Sequence, residues 1–492
     1  MQTLRAGVSR LPISAPTLYA ILLGVLGVAL SIAGAWVPSF WGDEVATLRT
    51  LSISPTDLWS FLGGIDAVHG FYDFLLRPWA AVFGTSELSL RFPSALANGV
   101  SCALLFQIGR KLHSQRLGVA AALILAILPR TTLIGTEARS SALVTALVVG
   151  CTLALLTALA SPRPGWFAVY AVLLLLSILT FVYAALIVIV HVLVAFLMRA
   201  GRKRILTVAL TATLTVIVIS PFAAISFSQR EQVSWIGDLG PVTLTSILVE
   251  PWLTGSIAAA IVLAASGALV FFKKRRSARA STLATPALIG TLWALVPVAV
   301  ILTAHVTVAP LFRARYLAFA TPGFALLVAC CLLALKLGVL RITIVIVLVV
   351  SIVPTYVSQR TEFAKNDSDL RQISETIARV SLRGDAIFFE HSGAANAPRK
   401  AMYAYPDGFE RVQDIALIEP FPFTGTFSDR TESLAESTSH LRHDQRLLVV
   451  GGSATNCDAV NQGALRAAGY GLEGEVPMHA SRLCIFSPSS QR

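Results

Sequence analysis

Eleven apolar segments, separated by stretches that alternate in charge character, leave few folds open to this sequence. They fall near residues 17–37, 94–109, 117–130, 141–160, 166–181, 183–198, 205–226, 254–272, 284–304, 317–335 and 342–357. An α-helix needs about 20 predominantly apolar residues to cross a bilayer, and most of these segments approach that length. One set of intervening stretches is short and basic: Arg110, Lys111 and Arg116; Arg163; Arg199, Arg202, Lys203 and Arg204; Lys273, Lys274, Arg275, Arg276 and Arg279; Lys336 and Arg341. None of them contains Asp or Glu, and Arg5 and Arg10 put the N-terminal residues in the same set. Lysine and arginine beside apolar spans mark the cytoplasmic side. The other set holds the acids, the aromatics and the long loops, and is placed outside. An inside N-terminus and eleven crossings then put residues 358–492 outside. The expected fold is a polytopic α-helical protein of the plasma (inner) membrane with about eleven transmembrane helices. Residues 1–357 form the membrane domain, with a long outer loop at 38–93, and residues 358–492 form a small extracytoplasmic α/β domain.

Composition supports this. Only 13% of residues are charged and 55% are hydrophobic, whereas a soluble domain is about one-quarter charged. The net charge of +12 invites a nucleic-acid reading. Its placement in short clusters between apolar runs, without interleaved aromatics, excludes that partner. After the first apolar run, Trp36, Pro38 and Trp41 stand where a cleavable leader would have small residues, so a retained first helix is expected.

The C-terminal region mixes strand-like runs (Ala386–Glu390, Arg446–Val450, Arg482–Ser487) with helical ones (Asp369–Val380, Ala459–Ala468), the pattern of a small α/β domain. Cys102, Cys151, Cys330 and Cys331 lie in apolar runs. Cys457 and Cys484 lie in the polar C-terminal region and read as one disulfide of an oxidising compartment. The loop 38–93 is partly amphipathic around Leu58–Leu62 and Phe71–Phe83, suited to helices lying along the interface. A second outer loop, 227–253, contains Ser228–Trp235.

Four outer segments carry residues suited to chemistry. Phe40-Trp41-Gly42-Asp43-Glu44 places two adjacent acids directly after the first helix, where carboxylates can act as a base, bind a cation, or simply start an interfacial helix. His69-Gly70-Phe71-Tyr72 is followed by Arg91-Phe92-Pro93-Ser94, where Arg91 can pair with phosphate or snorkel. Leu128-Pro129-Arg130 and Gly135-Thr136-Glu137-Ala138-Arg139-Ser140-Ser141 offer an acid and a base at the start of the fourth helix. Arg313-Ala314-Arg315-Tyr316-Leu317 puts two arginines and a tyrosine at headgroup level. That set suits a lipid-linked phosphate or interfacial anchoring.

In that order along the chain, these segments resemble the GT-C superfamily of membrane glycosyltransferases, in its protein-mannosyltransferase and aminoarabinose-transferase-like branch, which includes bacterial mannosyltransferases of actinobacterial type. The resemblance covers roughly residues 15–330. It implies a polyprenyl-phosphate sugar donor, with mannose the expected sugar, and an acceptor hydroxyl on an envelope glycolipid, glycan or protein. Asp43 would be the general base of an inverting displacement. Arg315, with Arg139, would stabilise the leaving phosphate. His69, Tyr72, Arg91, Glu137 and Tyr316 would contact substrate, and Glu44 would orient the acceptor or bind a divalent cation. No clear ligand set accompanies Glu44, so no cofactor is assigned. Two departures stand out. Related sequences often carry His-Pro-Pro-x-Tyr where this one has His69-Gly70-Phe71-Tyr72, and Arg-x-Tyr where it has Arg139-Ser140-Ser141. Two other function classes are open to such a chain. A lipid-linked sugar flippase calls for ionisable residues deep in the spans, and only His191 lies near mid-span. An envelope assembly scaffold leaves the acidic pair and the ordered motifs unexplained.

Overall fold

Each of the eleven apolar segments carries a helix in the computed structural model, which describes residues 14–229, 242–273, 282–335, 338–391 and 396–489. Arg5, Arg10, the basic run Lys274–Arg279, Lys336 and residues 230–241 of the second long loop lie outside the described residues. Among the described residues, seven helices are long and apolar enough to cross a membrane, and four apolar helices are shorter: Gln115–Ile127, Pro164–Thr180, Val182–Leu197 and Ile257–Ala268. The chain is an integral membrane protein.

In chain order the helices are α1 (Ala15–Ile32), α2 (Gly42–Ser52), α3 (Pro55–Gly64), α4 (Ala67–Phe83), α5 (Glu87–Leu112), α6 (Gln115–Ile127), α7 (Pro129–Ile134), α8 (Ser141–Ala160), α9 (Pro164–Thr180), α10 (Ile187–Leu197), α11 (Arg202–Ser228), α12 (Leu244–Leu248), α13 (Glu250–Leu253) and α14 (Ile257–Lys273). They continue as α15 (Ala284–Thr307), α16 (Thr321–Ala334), α17 (Gly338–Ser358) and α18 (Leu370–Val380). Tight 3-10 turns at Val182–Leu186 and Ala314–Ala320 lead into α10 and α16. Helix α5 is the hub, packed against α1, α6 and α8. Glycines allow the close approaches: a Cβ on Gly99 would stand 2.6 Å from the Gly24 carbonyl oxygen of α1, and one on Gly118 of α6 would stand 2.3 Å from the Phe106 carbonyl oxygen. Inside the bundle, His191 meets Thr152 (3.0 Å) and Tyr170 (3.3 Å), so it ties α8, α9 and α10 together.

The loop 38–93 is almost wholly helical. Ser54 caps α3, accepting from the Asp57 N–H, and Ser86 caps α5 in the same way. Helix α4 turns an apolar stripe inward and leaves Val82 and Phe83 exposed.

The C-terminal region is a sheet packed under α18. Strands β1 (Asp385–Phe389), β2 (Val412–Asp414), β3 (Leu417–Glu419), β4 (Arg430–Thr431), β5 (Leu447–Gly452), β6 (Tyr470–Pro477) and β7 (Ser481–Pro488) give a five-stranded sheet of order β2-β1-β5-β7-β6 and a separate β3-β4 pair. The central strands β1 and β5 are parallel to one another and read as continuous apolar runs because both faces are covered. Strand β7 is antiparallel to β5 and β6. Cys457 and Cys484 are joined, with Cα atoms 5.5 Å apart. The helix expected over Ala459–Ala468 forms as a short α-helix at Cys457–Val460 continued by a π-helical turn at Asn461–Leu465, and it is broken at Gly463 (φ −102°, ψ −121°).

The sheet domain and the membrane body share a core. Phe40, Val45, Tyr72, Leu76 and Leu90 pack in one cluster with Leu370, Ile373 and Ile377 of α18 and with Ile387, Leu448 and Leu483 of the sheet. The segment between α1 and α2 is therefore held from both sides.

Candidate active site

Adjacent residues on a helix point about 100° apart, and at the start of α2 this separates the two acids completely. Glu44 turns inward and is 0% exposed. Its carboxylate forms a two-pronged pair with Arg91 (Nε–Oε1 2.8 Å, Nη2–Oε2 2.6 Å) and also accepts the Ala138 N–H (2.9 Å). The other Arg91 N–H groups go to the carbonyls of Ala35 (2.6 Å), Pro38 (2.8 Å) and Ser39 (3.2 Å). Glu44 and Arg91 are thus occupied with each other and with the backbone that leads into α2. The geometry puts them beneath the site rather than at a substrate.

Asp43 turns outward, its side chain 30% exposed, and its Oδ2 accepts from Arg315 Nη1 at 3.0 Å. Arg139 Nη1 donates to the Asp43 carbonyl (3.0 Å) and reaches Thr47 Oγ1 (3.3 Å). The helix start carries no side-chain cap of its own; the Gly42 N–H donates to Asn396 Oδ1 of the sheet domain (2.8 Å).

A ring of side chains closes around Asp43. The Arg315 guanidinium lies 5.4 Å from the ring centroids of both Trp41 and Tyr316, a cation–π arrangement that steadies the cation. Tyr316 packs against Tyr183 (5.7 Å) and Phe181 (5.6 Å). Phe181 stacks on His69 (6.1 Å, 13°), and His69 Nδ1 meets Ser140 Oγ at 3.2 Å, beside Arg139. Burial first, then the charges of Arg139 and Arg315, holds the His69 pKa well below the usual imidazole value, so its ring is neutral at physiological pH.

Two further carboxylates lie on the α4 side. Asp66, at the left-handed residue before α4 (φ 58°), has its pKa pushed up to about 6 by burial, with Asp43 adding and Arg139 opposing. Asp73 is 1% exposed and neither of its oxygens has a hydrogen-bond partner. Burial, with the charge of Asp66 adding, raises its pKa to about 8.

Asp43, His69, Arg139, Arg315 and Tyr316 are therefore joined, with Phe181 and Ser140, into one cluster of contacts. Tyr72 lies one helical turn beyond His69, 4% exposed, with its hydroxyl unpartnered. Glu137 pairs with Lys365 (3.2 Å), which also donates to Thr136 (3.0 Å), and the Glu137 carbonyl accepts from Ser94 (2.6 Å). Arg130 donates to the carbonyls of Glu250 and Pro251 and joins α7 to α13. Among the described residues, no group of three or more His, Cys, Asp or Glu side chains is arranged to hold a metal ion.

Sequence reasoning missed Asp66, Asp73 and the whole sheet-domain contribution. Besides Asn396 and Lys365, Tyr405 accepts the Phe40 N–H (2.8 Å) and donates to Glu87 (2.6 Å). Ser368 donates to the Phe40 carbonyl (2.6 Å), and Arg371 donates to Val37 (2.9 Å). Asp66 and Asp73 belong to no motif. Periodicity was the available signal for Asp73, which lies on the amphipathic segment of α4, whereas Asp66 precedes that helix and carried no such signal.

Residues 71–225 match the family described as dolichyl-phosphate-mannose-protein mannosyltransferase. That match runs from within α4 to within α11 and leaves out Asp43, Asp66, His69 and Arg315. Among solved structures, apo ArnT from Cupriavidus metallidurans is similar over 97% of this chain and 99% of its own, at 13% identity and a TM-score of 0.60. The same protein bound to undecaprenyl phosphate gives 96%, 98%, 12% and 0.59. The archaeal oligosaccharyltransferase AglB from Archaeoglobus fulgidus, in complex with an inhibitory peptide and a dolichol-phosphate, is similar over 89% of this chain and 69% of its own, at 11% identity and a TM-score of 0.52. No curated protein matches the sequence.

Proposed function

For a chain that carries the GT-C fold of membrane glycosyltransferases, we propose transfer of a sugar, mannose by preference, from a polyprenyl-phosphate donor to an acceptor hydroxyl on the extracytoplasmic face. The observation that carries this reading is the division of the acidic pair. Asp43 is partly exposed and paired with Arg315, in one cluster with Tyr316, Arg139 and, through Phe181, His69, while Glu44 is buried in its pair with Arg91. The mannose preference rests on the matched family's description, and the polyprenyl carrier on the lipid phosphates bound by the structural relatives.

In the reaction, the acceptor hydroxyl oxygen attacks the anomeric carbon from the face opposite the phosphate. A new C–O bond forms as the bond from the anomeric carbon to the phosphate oxygen breaks. The hydroxyl proton passes to Asp43 Oδ2, and the electron pair leaves with polyprenyl phosphate. Configuration inverts, as in the one-step displacement of inverting glycosidases. The leaving group is already stable as an anion, so it needs charge stabilisation more than protonation. Arg315 supplies that charge. Its present partner is Asp43, so donor phosphate taking the guanidinium would free the carboxylate oxygen for the acceptor proton. Arg139, anchored on the Asp43 carbonyl, holds the base in place, and neutral His69 offers a hydrogen bond to the sugar or the acceptor. Glu44 and Arg91 act as the scaffold of the helix start.

The test is to incubate purified protein with polyprenyl-phosphate mannose and envelope lipid extract and follow products by mass spectrometry. A mannosylated product that disappears with Asp43→Asn supports the reading. A folded, donor-binding protein that makes no product from polyprenyl-phosphate mannose or from other polyprenyl-phosphate sugars overturns it.

A further inference from the structure

Thr47 lies one helical turn after Asp43 on α2 and is fully buried. Inside a helix a threonine hydroxyl commonly bonds back to a carbonyl of the preceding turn, which here includes that of Asp43. Thr47 does otherwise. Its Oγ1 donates to the Ala138 carbonyl (3.2 Å) and accepts from Arg139 Nη1 (3.3 Å). The Asp43 carbonyl receives the same Arg139 nitrogen at 3.0 Å. Both N–H bonds of that nitrogen are therefore directed at α2.

Glu44 and Thr47 are three residues apart, so they are neighbours on the helix surface. Glu44 accepts the Ala138 N–H (2.9 Å) and Thr47 donates to the Ala138 carbonyl. Helix α2 thus holds both polar groups of Ala138, and this seats the residue that follows, Arg139.

The seating of Arg139 bears on what Asp43 can do. A guanidinium readily forms a two-pronged pair with a carboxylate. Among the charges around Arg139, that of Asp43 acts on it most strongly. Yet among the described residues the Asp43 carboxylate has one ion-pair partner, Arg315. Arg139 is bonded to the main chain of Asp43 instead.

We propose that Thr47 is a positioning residue, whose hydroxyl holds Arg139 on the main chain of α2 and so keeps a second arginine off the Asp43 carboxylate. This rests on the transferase reading above and adds the residue that leaves the base with one exchangeable partner. Donor phosphate can draw Arg315 away, and the carboxylate is then able to take the acceptor proton. A carboxylate held by a second arginine is a poorer base.

Thr47→Val keeps the shape of the side chain and removes its hydroxyl. A hydrogen bond to a charged group is worth about ten- to a hundredfold. In protein shown to be folded, kcat for transfer from polyprenyl-phosphate mannose should fall by that factor, without weaker binding of polyprenyl phosphate. Thr47→Ser keeps the hydroxyl and should recover most of the loss. In an Arg139→Gln background, Thr47→Val should add no more than about twofold. Equal losses in both backgrounds, or no recovery in Thr47→Ser, would make the hydroxyl a purely structural contact and overturn the proposal. Thr47→Ala carries the same measurements should the valine variant fail to fold. A crystal structure of the folded variant decides the geometry independently of activity. Arg139 should stand on the Asp43 carboxylate there, and Arg139 unmoved on the Asp43 carbonyl overturns the proposal. Wild type that transfers no sugar from any polyprenyl-phosphate donor counts against the transferase reading, while the crystal structure still decides what Thr47 holds.

Discussion

Asp43 and Glu44 are neighbours in sequence and opposites in role, so their substitutions should fail differently. Asp43→Asn keeps the side chain's size and removes its capacity to take a proton. Turnover should fall by the general-base factor, about 10²–10⁴, with donor binding retained. Arg315→Ala should weaken donor affinity along with turnover, as read by donor titration beside initial rates. Glu44→Gln breaks a fully buried ion pair, and leaving Arg91 unpaired costs about 3–5 kcal/mol. Its signature should be a lowered Tm and poor yield rather than a folded, inactive protein. Near-wild-type turnover in Asp43→Asn would remove Asp43 from the mechanism. Asp73 gives a prediction in pH. Its pKa is raised to about 8 in the folded state against about 3.9 for free Asp. As pH rises from 4 to 8 the unfolded chain ionises and the folded one resists, so wild type loses stability over that window. Asp73→Asn cannot ionise, and its Tm advantage over wild type should grow from pH 4 to pH 8; a constant difference would contradict the burial argument. At this scale the sequence revealed which residue types matter and not which way they face. Two adjacent acids look alike until a helix start divides them.

Helix α2 does not cap itself, and that fact was invisible in sequence. Its start lacks a Ser, Thr or Asp in the capping place, with Trp41 there instead, and the acceptor for the Gly42 N–H arrives from Asn396, more than 350 residues away. Losing an N-cap acceptor costs about 0.5–2 kcal/mol. Asn396→Ala should therefore lower turnover by at most about 30-fold by this scale, because Asp43 occupies the first turn it steadies. The donor dissociation constant, set by Arg315, should hardly move. A variant that changes donor affinity as much as turnover would show that Asn396 touches substrate instead. Elements with strong periodicity were legible: all eleven apolar runs became helices, and β1, β5 and β7 lie within a residue or two of their strand-like runs. The break in the helix expected over Ala459–Ala468 has a local cause. Gly463 interrupts a run whose apolar spacing looked helical, and glycine's backbone freedom let the chain break there.

At the scale of the whole molecule, the sheet domain is part of the apparatus that shapes the site. Its core is continuous with that of α2, α4 and α5, and it places Asn396, Tyr405, Ser368 and Lys365 on the segments that carry Asp43 and Glu137. Long-range contacts of this kind leave no trace in a single sequence, which is why the domain's existence was readable and its role was not. The arrangement also makes sidedness decisive. The sheet domain, Asp43 and Arg315 share one end of the bundle, while Arg110, Lys111 and Arg163 lie at the other. Positive charge at spans faces the cytoplasm, so the site end should face out, where a lipid-linked donor serves in place of a nucleotide sugar. Single cysteines test this in intact cells with a membrane-impermeant thiol reagent. Ser439→Cys, on the exposed surface of the sheet domain, should be labelled without permeabilisation. Arg163→Cys, in the exposed turn between α8 and α9, should be labelled only after it. The natural cysteines add little background, because Cys102, Cys151 and Cys330 are buried and Cys331 is half-buried. Labelling of Arg163→Cys but not Ser439→Cys in intact cells would put Asp43 on the cytoplasmic side, and the donor chemistry argued for it would have to be abandoned with the topology.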